Sequence, residues 1–228
     1  MPVISLIQLD TRFPRIAGDI GAAETWMCDL DVRRVPDLSV ARVINAAPGD
    51  TDIGAAEQAV RDAPGDLVTT SCGFLCYWQA KLAAECRAPF ISSALMDLPR
   101  LMKAFPGDRL AILTFDSEVL AAPAFAPSLG GFAGPVIGLP EHAHLRQVIA
   151  GDLPYLDPAL AEAELMDLVG GFVRDRQAQG KPVRALLLEC TNLPPYKQAL
   201  KARFDLEIFD ILTLIDSRKA GMVDPSFI

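Results

Sequence analysis

Histidine is nearly absent from this chain of 228 residues: His142 and His144 are the only two. A nucleophile activated by histidine needs an oriented imidazole, and the sequence offers only this one local source. Paired CxxC or HxxxH elements are also missing, which argues against a zinc site. Cys72 and Cys76 are four apart, but no second pair completes them. The cysteines (Cys28, Cys72, Cys76, Cys86 and Cys190) are scattered, and fit reduced thiols better than a disulfide framework. Basic charge is scarce, with 21 Lys and Arg against 29 Asp and Glu. The net charge of −8 speaks against nucleic acid, although an acidic shell can still hold a few cations around a small anion. No apolar run approaches the roughly 20 residues of a membrane span. The start Met1-Pro2-Val3-Ile4 lacks the basic region and cleavage site of a signal peptide, so a cytoplasmic location is expected. No segment is of low complexity.

What is present is a core. Apolar residues make up 51% of the chain, enough for two small domains. Two segments stand out within it. Leu67-Val68-Thr69-Thr70-Ser71-Cys72-Gly73-Phe74 and Ala185-Leu186-Leu187-Leu188-Glu189-Cys190-Thr191-Asn192 are each an apolar run of strand length. Each ends in small polar residues around a thiol and leads into a helical pattern. Moved by one constant offset, Cys72 falls on Cys190, Leu75 on Leu193, Leu82 on Leu200, and Phe90-Ile91 on Ile208-Phe209. The chain is read as an imperfect duplication with one thiol in each half.

Strands are expected at Val3–Leu9, Val40–Asn45, the two cysteine runs, Phe90–Ser93, Leu110–Phe115, Val136–Leu139 and Glu207–Phe209. Helices fill most of the intervals, the longest over Ala159–Gln179 with an interruption at Gly170-Gly171. This alternation predicts an α/β fold: two pseudo-symmetric open, mostly parallel sheets flanked by helices, with the active-site cleft between them. The first half is expected to comprise residues 1–96 plus 207–228, and the second residues 97–206.

Two strand-end cysteines can be buried core residues and nothing more. Their equivalent placement before helices, which favour the thiolate, argues for more. Two thiols from facing halves can flank one carbon. One, as thiolate, takes a proton; the other, as thiol, returns one to the opposite face. Such chemistry needs no cofactor. It does need donors for a carboxylate as charge develops, and Thr69, Thr70, Ser71, Thr191, Asn192, Thr114, Ser117 and the amides of Gly73 and Phe74 are at hand.

TTSCGF around Cys72, ECTN around Cys190 and the loop LDTRFPR, Leu9 to Arg15, together resemble the aspartate/glutamate racemase superfamily along the whole chain. The resemblance implies a racemase or epimerase, an isomerase of amino-acid metabolism without a cofactor. It would invert a carbon alpha to a carboxylate, with Cys72 and Cys190 as catalytic acid and base. It implies substrate contacts from Asp10-Thr11 at the first strand end and from Thr114 and Ser117 at the entry to the second half. Ser71, Gly73, Phe74, Thr191 and Asn192 complete the expected binding set. Two departures stand out. Gly73-Phe74 replaces the Asn-Thr that comes after the first thiol in glutamate racemases, and Asn192 replaces the histidine after the second. The alternatives are a maleate-type cis-trans isomerase or related decarboxylase, and a carboxylate-binding protein without turnover. Expected partners are a small anionic carboxylate and at most a second copy of the chain; no nucleic acid, membrane or metal is expected. Arg12 and Arg15 are candidates to anchor a second carboxylate, and Glu189, facing away from the thiol by strand alternation, is read as a supporting group or a salt-bridge partner.

Overall fold

A computed structural model describes residues 1–228. Eight strands occur in order: β1 (Val3–Gln8), β2 (Asp29–Arg34), β3 (Leu67–Thr70), β4 (Phe90–Ile91), β5 (Leu110–Thr114), β6 (Val136–Gly138), β7 (Ala185–Leu188) and β8 (Glu207–Phe209). They form two four-stranded sheets ordered β2-β1-β3-β4 and β6-β5-β7-β8. Every pairing is parallel. The two sheets are thus related by the duplication, with β1 matching β5 and β3 matching β7. The offset that joins the cysteines carries β3 onto β7 and the helix Gln79–Glu85 onto the helix Lys197–Arg203, end to end.

Parallel strands covered on both faces read as continuous apolar runs rather than alternating ones. β3, β5 and β7 are accordingly buried at every residue. One apolar cluster of 59 buried residues runs through both halves. The cleft therefore rests on a shared core and not on a flexible linker.

The structure departs from expectation at the edge of the first sheet. Val40–Val43 is a single helical turn, and the strand beside β1 is Asp29–Arg34 instead. Its sequence, DLDVRR, carries charge on most positions, as suits an exposed edge strand that must not pair with another chain. The helix Pro158–Ala178 runs unbroken through Gly170-Gly171. It starts where Asp157 accepts the amides of Ala159 and Leu160, with Pro158 at the first helical position. β8 pairs with β7, so the second sheet takes in residues 207–209. The chain then returns to the first half. The helix Ile211–Arg218 packs on the turn Ala94–Asp97, and Val223 bridges to Trp26.

Ligand sites of open parallel sheets lie outside the carboxyl ends of the strands, where strand order reverses. In each sheet that point falls between the first strand and the cysteine strand. Here the two carboxyl edges meet. Thr191 Oγ1 donates to the Ser71 carbonyl at 2.7 Å, and Gly73 lies against Glu189.

Candidate active site

A small cavity opens where the two edges meet. Cys72 and Cys190 both line it, one from each half. So do Thr11, Ser71, Gly73, Phe74, Thr191 and Asn192. Other expected residues sit elsewhere, among them Thr69 and Thr70, whose hydroxyls donate to the Ile91 and Ser92 carbonyls, and Arg12, which is not in the lining. Asp10 stands at the rim, where its carboxylate accepts the Asp37 amide at 3.3 Å. Thr114 is fully buried behind the cavity and donates to Glu189 Oε2 at 2.6 Å. Ser117 opens the short helix Ser117–Leu120 and packs on Gly138. The apolar wall comes from Leu9, Phe13, Val40, Ile44, Phe115 and Ile149.

Arg15 is the charged residue in the lining, and it is held rather than solvated. Its guanidinium lies 4.5 Å over the Phe13 ring, pairs with Asp19 Oδ1 at 2.8 Å, and donates to Thr11 Oγ1 at 3.3 Å. The Arg15 side chain is 9% exposed and that of Asp19 only 4%, so water screens this pair weakly. Asp19 Oδ2 accepts from Asn192 Nδ2 at 2.6 Å. That bond fixes the amide, so Asn192 Oδ1 faces Cys190, whose Sγ donates to it at 3.7 Å. A buried chain thus runs from Cys190 through Asn192 and Asp19 to Arg15 and Thr11, where the resemblance would have placed a histidine. Asp19 carries no motif of its own. Only its spacing of four from Arg15 hinted at the pair.

The loop bearing Thr11, Phe13 and Arg15 belongs to the first half but is anchored by the second. The amides of Arg12 and Phe13 both donate to Asp152 Oδ1, at 2.6 and 2.8 Å. Asp152 ends the helix His144–Gly151 in the left-handed region, at φ 48°. The two histidines lie away from the thiols. His144 Nε2 accepts the Asp157 amide at 2.8 Å, and His142 lines a separate cavity beside the helix Pro158–Ala178. No cluster of three or more His, Cys, Asp or Glu side chains is arranged to hold a metal ion. No helix is long and apolar enough to cross a membrane.

The turn after Cys72 is a 3-10 segment, Gly73–Trp78, and it does not lower the thiol as a long helix would. Burial dominates and pushes Cys72 well above the ordinary thiol range. The charge of Glu189 raises it further, and the Phe74 amide lowers it only in part. Cys190 is raised for the same two reasons, burial and then Glu189, against the Asn192 amide and Arg15. Glu189 has no cationic partner. Its carboxyl is fully buried and rises from 4.5 to about 7, despite the hydrogen bond from Thr114.

No family model matches the chain. Among solved structures it is similar to aspartate racemase of Picrophilus torridus, with a TM-score of 0.58 at 12% identity over 100% of this chain and 98% of that one. It is also similar to unliganded arylmalonate decarboxylase, with a TM-score of 0.54 at 15% identity over 97% and 93%. The chain therefore has the fold of the aspartate/glutamate racemase superfamily. Among curated proteins it is similar to dimethylsulfoniopropionate lyase 6 of Emiliania huxleyi (strain CCMP1516), 29% identical over 98% of this chain and 60% of the relative. Dimethylsulfoniopropionate lyase of Durusdinium sp. clade D is 25% identical over 97% of the chain and 75% of its own length. The chain spans about 60% of the E. huxleyi protein.

These relatives overturn the expectation of an isomerase or racemase, because sequence similarity across nearly the whole chain leads to lyases. The reason for the error is chemical. Racemisation and elimination both begin with removal of a proton alpha to a carboxylate. Fold and thiols are compatible with either reaction and do not tell the two apart.

Proposed function

We propose that this chain is a cysteine-dependent, cofactor-independent lyase that acts on a small carboxylate carrying a leaving group on its β-carbon. The observation behind this reading is one cavity with a thiol from each half, an arginine in its wall and an apolar remainder. The lyase relatives supply the reaction type, and dimethylsulfoniopropionate is the substrate proposed. Arg15, Thr11, Thr191 and Asn192 would receive the carboxylate, with Ser71 and the amides of Gly73 and Phe74 beside them. Phe74 would receive the sulfonium end, since aromatic faces attract a desolvated cation and the rings of Phe13 and Phe115 already carry the Arg15 and Arg146 guanidinium groups.

The reaction balances without a further reagent. A thiolate, from Cys72 or Cys190, takes the α-proton. The C–H electron pair becomes the Cα–Cβ double bond, and the Cβ–S bond breaks with its electrons going to sulfur. Neutral dimethylsulfide leaves, acrylate remains, and the proton passes from the thiol to solvent. The raised thiol pKa values fit this order of events. In an empty buried cavity the thiols stay protonated. A cationic group arriving within ~4–6 Å favours the thiolate, so the substrate's own sulfonium would switch on the base that consumes it.

The test is to incubate the purified chain with dimethylsulfoniopropionate, measure headspace dimethylsulfide by gas chromatography, and measure acrylate by NMR. Equimolar release of both is the expected result. Binding without release would leave a carboxylate-binding protein. Recovery of unchanged substrate with deuterium at its α-carbon would show proton removal without elimination. Either outcome overturns the proposal.

A further inference from the structure

Glu189 is a buried carboxyl that the proposed elimination does not use and that, unlike buried Asp19 and Asp210, has no cation beside it. It stands between the thiols: it immediately precedes Cys190 in sequence, and it packs under the turn just after Cys72. The side chain is fully buried. Oε2 is held by the Thr114 hydroxyl at 2.6 Å. Oε1 has no hydrogen-bond partner and is aimed at Gly73. A side chain at Gly73 would run into Oε1 and would come within 2.6 Å of the Glu189 carbonyl oxygen. Gly73 therefore owes its identity to the carboxyl beneath it. The other titratable groups that feel this carboxyl are themselves acids: Cys72 before the 3-10 turn, Cys76 within it, and Cys190. The nearest cation in the site, Arg15, is already paired with Asp19.

We infer that Glu189 is a positioning residue for the thiols: Glu189, Cys72 and Cys190 form one buried acid cluster that accommodates a single negative charge, so the carboxyl must stay neutral for a thiol to ionise. The physical ground is desolvation. Each charged form loses its water, no cation compensates it, and like charges at close range cannot ionise together. The direction of the titrations agrees. Burial lifts Glu189 to about 7, and its charge is the second cause, after burial, that raises Cys72, Cys76 and Cys190. As pH climbs through neutrality the carboxyl ionises first and holds both thiols protonated. In a protein with neutral Glu189 the thiolate would form at lower pH.

The experiment is thiol alkylation of the full chain by iodoacetamide between pH 6 and 10, resolved by mass spectrometry for each cysteine, without substrate. That readout separates failure of this inference from failure of the lyase reading. In Glu189→Gln the alkylation of Cys72 and Cys190 at pH 8 is expected to quicken roughly tenfold, the equivalent of about one pH unit. Cys28 and Cys86, which do not feel Glu189, serve as unchanged controls. Thr114→Val removes the hydrogen bond that favours the carboxylate, so it should speed alkylation in the same direction, most clearly at pH 7–8. Profiles of Cys72 and Cys190 in Glu189→Gln that superimpose on the wild type would overturn the inference. If that variant unfolds, seen as rapid alkylation of all five cysteines, Thr114→Val decides, and an unshifted profile there overturns it equally.

Discussion

Replacing Asp152 by glycine should open the loop over the cavity while leaving the fold standing. Asp152 does two jobs. Its backbone ends the helix His144–Gly151 at φ 48°, and its carboxylate receives the Arg12 and Phe13 amides. Glycine performs the first job better, because a Cβ costs roughly 1 kcal/mol in the left-handed region. It cannot perform the second. Hydrogen bonds to a charged group contribute about 1.5–3 kcal/mol each, and the exposed position of the Arg12 bond argues for the low end. The two bonds together cost the loop roughly 3 kcal/mol, while the helix end gains about 1 kcal/mol. Global stability should therefore change by no more than about 2 kcal/mol. At about 1.4 kcal/mol for each factor of ten, hydrogen exchange at the Arg12 and Phe13 amides should quicken about 10- to 100-fold. Exchange in β5 should stay as it was. Because the loop carries Thr11, Phe13 and Arg15, carboxylate ligands should also bind more weakly. Unchanged exchange at Arg12 and Phe13 would refute the clasp, and acceleration spread evenly into β5 would show ordinary destabilisation instead.

Of Cys72→Ala and Cys190→Ala, the one that removes the base should cut dimethylsulfide release by about 10²–10⁴-fold, the usual contribution of a positioned base, and the other should cost less. Cys28→Ser, Cys76→Ser and Cys86→Ser should stay within about tenfold, and a collapse in a folded Cys76→Ser protein would mean that the wrong thiol carries the chemistry. Asp19→Ala strips partners from Arg15, Asn192 and the Gly21 amide at once. Removing one member of a buried ion pair costs about 3–5 kcal/mol, so urea unfolding that shows a loss below about 1 kcal/mol would contradict the buried chain from Cys190 to Arg15. Glu189 also links stability to pH. Its carboxyl is raised in the folded protein, so the unfolded chain gives up its proton first, and wild-type stability should fall relative to Glu189→Gln as pH rises from about 4.5 to about 7, then level off. Parallel stability curves for the two proteins across that window would refute the raised carboxyl.

Much of the architecture was legible because buried parallel strands advertise themselves. LVTT and ALLL are apolar or β-branched throughout, and the repeat around their cysteines located both halves and the cavity. β2 was illegible for the opposite reason. An edge strand needs polar residues, so DLDVRR carries no hydrophobic period, while the β-branched Val40 and Val43 imitate a strand from a helical turn. Arg15 and Asp19 lie in a loop, where no periodicity predicts which side chains turn inward. Glu189 was hidden by strand alternation. The rule points it away from the thiol of its own strand end, but its carboxyl lies against Gly73 of the opposite half and its charge is felt by both thiols. The reaction type was not in the thiols at all, because two chemistries share their first step.

The handshake between Thr191 and the Ser71 carbonyl, with Gly73 seated on Glu189, lies beside both thiols. The two halves thus touch at the place where the chemistry is proposed. Seen as a mechanism of levers, that contact is the fulcrum. When two bodies rock about a shared point, displacement grows with distance from it and vanishes at it. Any opening at the rim, where Asp152 holds the loop, would therefore disturb the thiols least.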